Sequence, residues 1–126
     1  MCALAIPRKT DTVDWHRAAN DALLKAKKSI QQYPDSEEIA PDAATYVKVK
    51  EFFGKVSEQL LSVVQLPYVN AGPNGELCLD WILKTGTLNL VFYEGQVHGF
   101  LKTQSCALEA EGLVKAIDLV ARLARA

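Results

Sequence analysis

An acid and a histidine, Asp80 and His98, lie on two segments of alternating apolar and polar sequence and are the side chains best suited by type to move protons. A carboxylate and an imidazole can act on a small substrate as general acid and base when each reaches one end of it. The pattern offers no nucleophile beside a base, no glycine-rich loop before a helix and no histidine pair at metal-ligand spacing. We therefore assign no catalytic residue, no metal and no cofactor, and the balance favours a protein that is not an enzyme.

The segments that would position these residues form one continuous pattern, ELCLDWILKTGTLNLVFYEGQVHGFLK, from residue 76 to residue 102. Strict alternation of this kind predicts an antiparallel sheet with one buried face. The predicted strands cover residues 67–70, 76–83, 87–93 and 96–103. Pro67 would confine the first, short strand to the edge of the sheet, because proline cannot donate a ladder hydrogen bond.

Two hairpin turns set the predicted registers. A turn at 94–95 places Phe92 opposite Val97, and a turn at 85–86 places Phe92 opposite Leu79. Both registers put the large apolar residues on one face, so the remaining side chains share the other face. On this second face one row would hold Asp80, Val91 and His98 and the next would hold Ile82, Asn89 and Phe100, with Cys78 and Tyr93 beside them.

The composition of the second face favours binding over catalysis. Asp80 and His98 are two strands apart in this register, which separates their backbones by about 10 Å. An open strand face is shallow, whereas catalysis needs a pocket that excludes water. Four large apolar side chains on a wet face form a patch of the kind that meets a partner. The predicted partner-binding residues are Asp80, Ile82, Asn89, Val91, Tyr93, His98 and Phe100.

A plainer interpretation of the same face stays open. Asp80, Asn89 and His98 can be the solvated half of an ordinary antiparallel sheet, with no further role. That interpretation accounts for the polar side chains but leaves the apolar ones, including Tyr93 and Phe100, without a reason to face water.

Helical patterns flank the sheet on both sides in sequence. Apolar residues recur at spacings of three and four from about residue 11 to Pro34, and again from about residue 41 to residue 64. The two stripes predict an antiparallel helical hairpin. A last helix is predicted from a cap near Ser105, with Glu109 and Glu111 early in it, toward the end where the helix dipole favours negative charge.

These elements predict one domain of the α+β class. Its order is a helical hairpin, an antiparallel meander of three to four strands and a C-terminal helix, with the helices on the leucine face. Within the single domain 1–126, we expect an N-terminal tail at 1–10, the hairpin at 11–65, the meander at 67–104 and the last helix at 105–126.

Composition and charge limit the classes of function. Fourteen basic and fifteen acidic residues give a net charge of -1, which does not supply the dense positive field that nucleic-acid binding requires. The longest apolar run, Met1 to Ile6, is too short for a membrane span. The chain has three cysteines, an odd number at spacings typical of no zinc or redox motif. We expect free, mostly buried thiols and a cytoplasmic location.

The stretch PYVNAGPNGELCLDW, Pro67 to Trp81, resembles a pattern in small bacterial and phage proteins of no settled activity. In that pattern a proline-led segment and an Asn-Gly turn precede a G-x-L-x-L-x-W strand, here Gly75 to Trp81. The resemblance implies a hairpin and a bacterial or phage origin, and it transfers no functional residue.

The sequence therefore predicts a small cytoplasmic protein-interaction module, such as an inhibitor, an immunity-like protein or an adaptor. It would bind a protein partner or a second copy of itself through the second face of the sheet. The alternative is a small-molecule-binding or hydrolytic domain in which Asp80 and His98 line a pocket.

Overall fold

The computed structural model of the chain describes residues 9–31, 39–60, 65–72 and 74–125. It confirms an α+β protein in the order helix, helix, sheet, C-terminal helix, but the sheet has five strands where three to four were predicted. The elements are α1 (Lys9–Gln31), α2 (Ala43–Leu60), β1 (Tyr68–Ala71), β2 (Leu77–Leu83), β3 (Gly86–Tyr93), β4 (Gln96–Thr103), β5 (Ala107–Glu111) and α3 (Leu113–Arg125). No helix in these described ranges is both long and apolar enough to cross a membrane.

The sheet is an antiparallel meander in which the spatial order of the strands, β1-β2-β3-β4-β5, is their order in the chain. The predicted β3–β4 register is confirmed, with Phe92 opposite Val97. Its turn residues Glu94 and Gly95 both have positive φ, 51° and 79°, as a tight two-residue hairpin requires. β1 lies at an edge of the sheet, as Pro67 predicted.

The predicted β2–β3 register is wrong by two residues. The turn lies at 84–85 instead of 85–86, so Leu79 is opposite Leu90, and Phe92 is opposite Leu77. A slip of two residues leaves every side chain on the same face, so the apolar pattern could not distinguish the two registers. Gly86 is the first residue of β3, where an added Cβ would lie 2.6 Å from the backbone oxygen of Lys102.

The predicted start of the last helix near Ser105 is also wrong. Residues 107–111, ALEAE, form β5, which pairs antiparallel with β4. Alternation explains the strand, since Leu108 packs against the core while Glu109 and Glu111 are exposed on the other face. Helix α3 begins only after Gly112, whose φ of 95° redirects the chain and whose N–H donates to the Val97 carbonyl at 3.0 Å.

All three helices contribute to one hydrophobic cluster against the inner face of the sheet. α1 and α2 are antiparallel, because Trp15 early in α1 meets Phe53 late in α2, while Lys27 late in α1 meets Tyr46 early in α2. The predicted helix ends at Pro34 and Val64 fall outside the described residues. α2 starts at a cap, where the Thr45 N–H donates to Asp42 Oδ1 at 2.8 Å.

Phe52 is fully buried in the core. The spacing that predicted α2 did not include it, because the predicted apolar stripe consisted of Tyr46, Val49, Phe53, Val56, Leu60 and Val63. The Phe52 ring makes edge contacts with Phe92 at 5.6 Å and with Trp81 at 6.3 Å between centroids, so it joins the helix layer to the sheet. Leu119 and Leu123 of α3 are buried as well, at 3% and 2% exposure, and are therefore closed to a partner.

Candidate functional site

The outer face of the sheet, which is the face turned away from the helices, carries all seven predicted site residues. Its apolar side chains remain open to solvent: Tyr68 is 64% exposed, Ile82 67%, Tyr93 44% and Phe100 43%. Asp80, Asn89, Val91 and His98 are half-buried between them. The alternation of the strands is sufficient to put these residues on one face, whereas their role in binding stays a prediction.

The neighbours of each residue on this face differ from the prediction. Asp80 lies in a row with Asn89 and Phe100, and His98 lies in the adjacent row with Val91 and Cys78. The predicted row of Asp80, Val91 and His98 is wrong because it used the slipped β2–β3 register. In both registers Asp80 and His98 stay two strands apart, so the structure does not bring the acid and the histidine together.

Asp80 has a different partner. The Asn89 amide Nδ2 donates a hydrogen bond to Asp80 Oδ1 from the directly opposed position on β3. A carboxylate that accepts a hydrogen bond from its cross-strand neighbour stabilises the hairpin. On the outer face Asp80 is thus hydrogen-bonded to Asn89 and lies two strands away from His98.

His98 faces two glutamates that the sequence did not place near it. Its Nδ1 lies 3.2 Å from Oε1 of Glu111, and its Nε2 lies 3.7 Å from Oε1 of Glu109. Its ring also contacts Phe100, with 4.6 Å between ring centroids. A protonated imidazole here would be held by two carboxylates and one aromatic ring. The signal that could have revealed these partners is the alternation of ALEAE, which is typical of a strand.

A cleft of about 480 Å³ opens at the end of the sheet beside the 94–95 turn. His98, Glu111 and Tyr93 line it from the outer face, and Lys48 reaches it from α2. Asp80 does not line this cleft. The acid and the histidine predicted to share a pocket therefore do not share this cleft.

Two groups on the outer face have perturbed pKa values. A hydrogen bond to Glu94, together with the charge of that carboxylate, raises the pKa of the Tyr93 phenol, so the phenol keeps its proton as a donor. Burial raises the pKa of the Cys78 thiol, and the nearby charges of Asp80 and Glu76 add to the effect. Cys78 is half-buried and Cys106 is exposed, so the expectation of mostly buried thiols is wrong for Cys106; Cys2 lies outside the described residues.

The outer face has a negative balance of charge. At the outer-face positions of the five strands, the ionisable side chains apart from the tyrosines and Cys78 are Asp80, His98, Lys102, Glu109 and Glu111. Three carboxylates against one lysine leave these positions with a net negative charge. Within the described part of the chain, no group of three or more His, Cys, Asp or Glu side chains is arranged to hold a metal ion.

Comparison of the chain with protein-family models, with curated proteins and with solved structures found no match.

Proposed function

We propose that this chain is a small cytoplasmic protein-interaction module, such as an inhibitor, an immunity-like protein or an adaptor, that binds a protein partner through the outer face of its sheet. The observation that carries the proposal is the exposure of Tyr68, Ile82, Tyr93 and Phe100 on the face of the sheet that none of the three described helices covers. Aromatic groups ringed by polar residues are the usual composition of a recognition surface.

The net negative charge of the outer face favours a partner of opposite charge. Glu109 and Glu111 are exposed at the β5 edge, and Asp80 lies near the β1 edge, so basic side chains around an apolar centre would complement the face. Two copies of the same face would instead bring like charges together, which disfavours self-association. We therefore favour a basic protein partner over a second copy of the chain.

Paired variants test this function directly. Tyr93→Ser/Phe100→Ser removes two apolar groups of the outer face, while Val47→Ser/Val114→Ser removes two equally apolar, exposed groups from the helices. The wild type and each variant are immobilised and used to capture partners from the source cells at low and high salt. The captured proteins are identified and compared by mass spectrometry. We expect one basic protein that binds the wild type and the helix variant but does not bind the outer-face variant. High salt should weaken its binding.

Two results would contradict the proposal. One is a capture profile that the outer-face variant leaves unchanged, together with a monomer in light scattering. The other is a wild-type dimer that only the outer-face variant dissociates, which would show that the partner is a second copy. Circular dichroism of both variants provides the control for folding, because exposed side chains contribute little to stability.

The cleft beside the 94–95 turn supports a second candidate function, the binding or hydrolysis of a small molecule. It combines a histidine, a carboxylate, a phenol and an ammonium group within about 480 Å³, a volume that suits small ligands. In contrast to the prediction, Asp80 would take no part. If a fragment library screened by NMR shifts no signal of Tyr93, His98 or Lys48, this candidate is excluded.

A further inference from the structure

A second concave site lies between α1 and α2, away from the sheet. This helix groove encloses about 460 Å³, and all the residues that line it belong to the two helices. Its volume falls in the range of pockets that hold small organic molecules. None of its lining residues lies on the outer face or in the cleft at His98, so any ligand of the groove would be independent of the proposed partner.

The walls of the groove combine an apolar base with two cations. Leu23 and Leu24 supply the apolar surface. Lys27 places its Nζ 5.1 Å from the ring centroid of Tyr46, a cation–π contact that holds the ammonium group at the groove. Lys50 follows Tyr46 by four residues on α2 and therefore lies on the same side of that helix.

Both lysines have their charge available for a ligand. In the described part of the chain, neither ammonium group forms an ion pair, although Asp21 also lines the groove. Lys48, two residues before Lys50 and outside the groove, is instead paired with Glu51 at 3.3 Å. Two cations beside an apolar surface match the chemistry of an organic anion.

Asn20 adds a polar requirement. It lines the groove, and its Oδ1 is shielded from solvent with no hydrogen-bond donor among the described residues. Buried polar atoms are normally paired, so an unpaired one in the wall of a pocket needs an explanation. A small rotation of the amide would let this oxygen accept a hydrogen bond from a molecule in the groove.

We propose that the helix groove binds a small organic carboxylate that has an apolar body and an N–H donor, the chemistry of an N-acylated amino acid. Its carboxylate pairs with Lys27 and Lys50, its apolar body lies on Leu24 and the Tyr46 ring, and its N–H donates to Asn20. A free amino acid fits less well, because its ammonium group would face the two lysines.

The test is a titration of the full chain, labelled with ¹⁵N, with N-acetylleucine as the probe. N-acetylleucine amide, which lacks the charge, and free leucine, which has an ammonium group, are the matched comparison ligands. We expect saturable shifts of backbone signals within 16–27 and 46–50 with the probe, and binding at least about tenfold weaker with either comparison ligand.

Variants separate a binding role from a structural one. Lys27→Gln/Lys50→Gln should weaken binding of the probe by about tenfold or more, whereas Lys25→Gln/Lys28→Gln, which removes the same charge from exposed positions outside the groove, should not. Asn20→Leu should weaken binding while the midpoint of thermal unfolding stays the same or rises, because it removes an unpaired polar atom.

Three results would overturn the proposal. The first is an absence of shifts in the groove up to about 10 mM probe, a concentration far above most specific Kd values. The second is equal affinity for the probe and the neutral amide. The third is a set of shifts confined to the cleft at His98. Since the groove and the outer face share no residue, failure here would leave the partner-capture result unchanged, and failure of that capture would not alter this titration.

Discussion

Asn89 and Asp80 face each other across β2 and β3, and the amide of Asn89 donates a hydrogen bond to the carboxylate of Asp80. This hydrogen bond joins the two strands of the β2–β3 hairpin. His98 has Glu109 and Glu111 as its charged neighbours, so the outer face holds two separate polar groups, the Asn89–Asp80 pair and the cluster of His98 with the two glutamates.

Replacing the donor of this pair should destabilise the hairpin. Asn89→Asp puts two carboxylates directly opposite each other, and we expect the free energy of unfolding to fall by about 0.5–1 kcal/mol in urea denaturation. Thr87→Asp adds the same charge one row away, opposite Lys102, and should have no such effect. Equal losses in both variants would show that the Asn89–Asp80 hydrogen bond contributes nothing measurable.

Gly99 allows α3 to approach β4 closely. A Cβ at this position would lie 2.8 Å from Leu119 Cδ1 and 2.8 Å from Leu90 Cδ2. We expect Gly99→Ala to lower the free energy of unfolding by about 1–3 kcal/mol through overpacking. The comparison is Gly54→Ala in α2, where an added Cβ meets no atom of the described residues within 4 Å and where alanine should stabilise the helix by up to about 1 kcal/mol. Thermal unfolding of both variants measures the contrast, and a neutral Gly99→Ala would contradict the close approach.

The Asp42 cap gives stability a specific dependence on pH. Hydrogen bonds from the hydroxyl and the backbone N–H of Thr45 lower the pKa of Asp42 below its ordinary value of 3.8. A depressed carboxyl pKa stabilises the fold above the pKa of the unfolded chain, and this contribution is lost as pH falls through the folded value. In Asp42→Asn, which keeps a capping side chain without the charge, we expect less loss of stability than in the wild type between about pH 5 and about pH 2. Parallel curves of unfolding free energy against pH for the two proteins would contradict this assignment.

The two described thiols should differ in reactivity. Burial and the charges of Asp80 and Glu76 raise the pKa of Cys78, whereas Cys106 is exposed on the connection between β4 and β5. With iodoacetamide at about pH 8, we expect Cys106 to react at least about tenfold faster, as followed by mass spectrometry of the two peptides. Asp80→Asn should speed the labelling of Cys78 and leave Cys106 unchanged. A Cys78 that reacts as fast as Cys106 would contradict its burial.

Much of the fold could be predicted from periodicity, because alternation assigns each strand residue to a face irrespective of register. This is why all seven residues predicted for the outer face lie on it despite the slip at β2–β3. The pattern could not fix that register, since a slip of two residues exchanges one inward leucine for another. Choosing between turns at 84–85 and 85–86 depended on the space at Gly86, which only the fold reveals.

The partners of His98 were beyond the sequence analysis for a different reason. Glu109 and Glu111 fit the start of a helix, where the helix dipole favours negative charge. They fit the exposed positions of an edge strand equally well. The helix interpretation therefore placed both glutamates in the last helix and not on the outer face of the sheet beside His98. Phe52 was missed in a similar way, because the predicted stripe of α2 was a single narrow seam, and a helix between another helix and a sheet needs a wider apolar face.

The edge formed by β5 affects how copies of this protein meet during folding and storage. An unpaired strand is a template on which other chains can add strands and begin to aggregate. Two β5 strands joined antiparallel about Glu109 would set that glutamate against its own copy, and carboxylates in direct opposition repel. The residues that define the rim of the proposed recognition face thus also act as gatekeepers against growth of the sheet into fibrils.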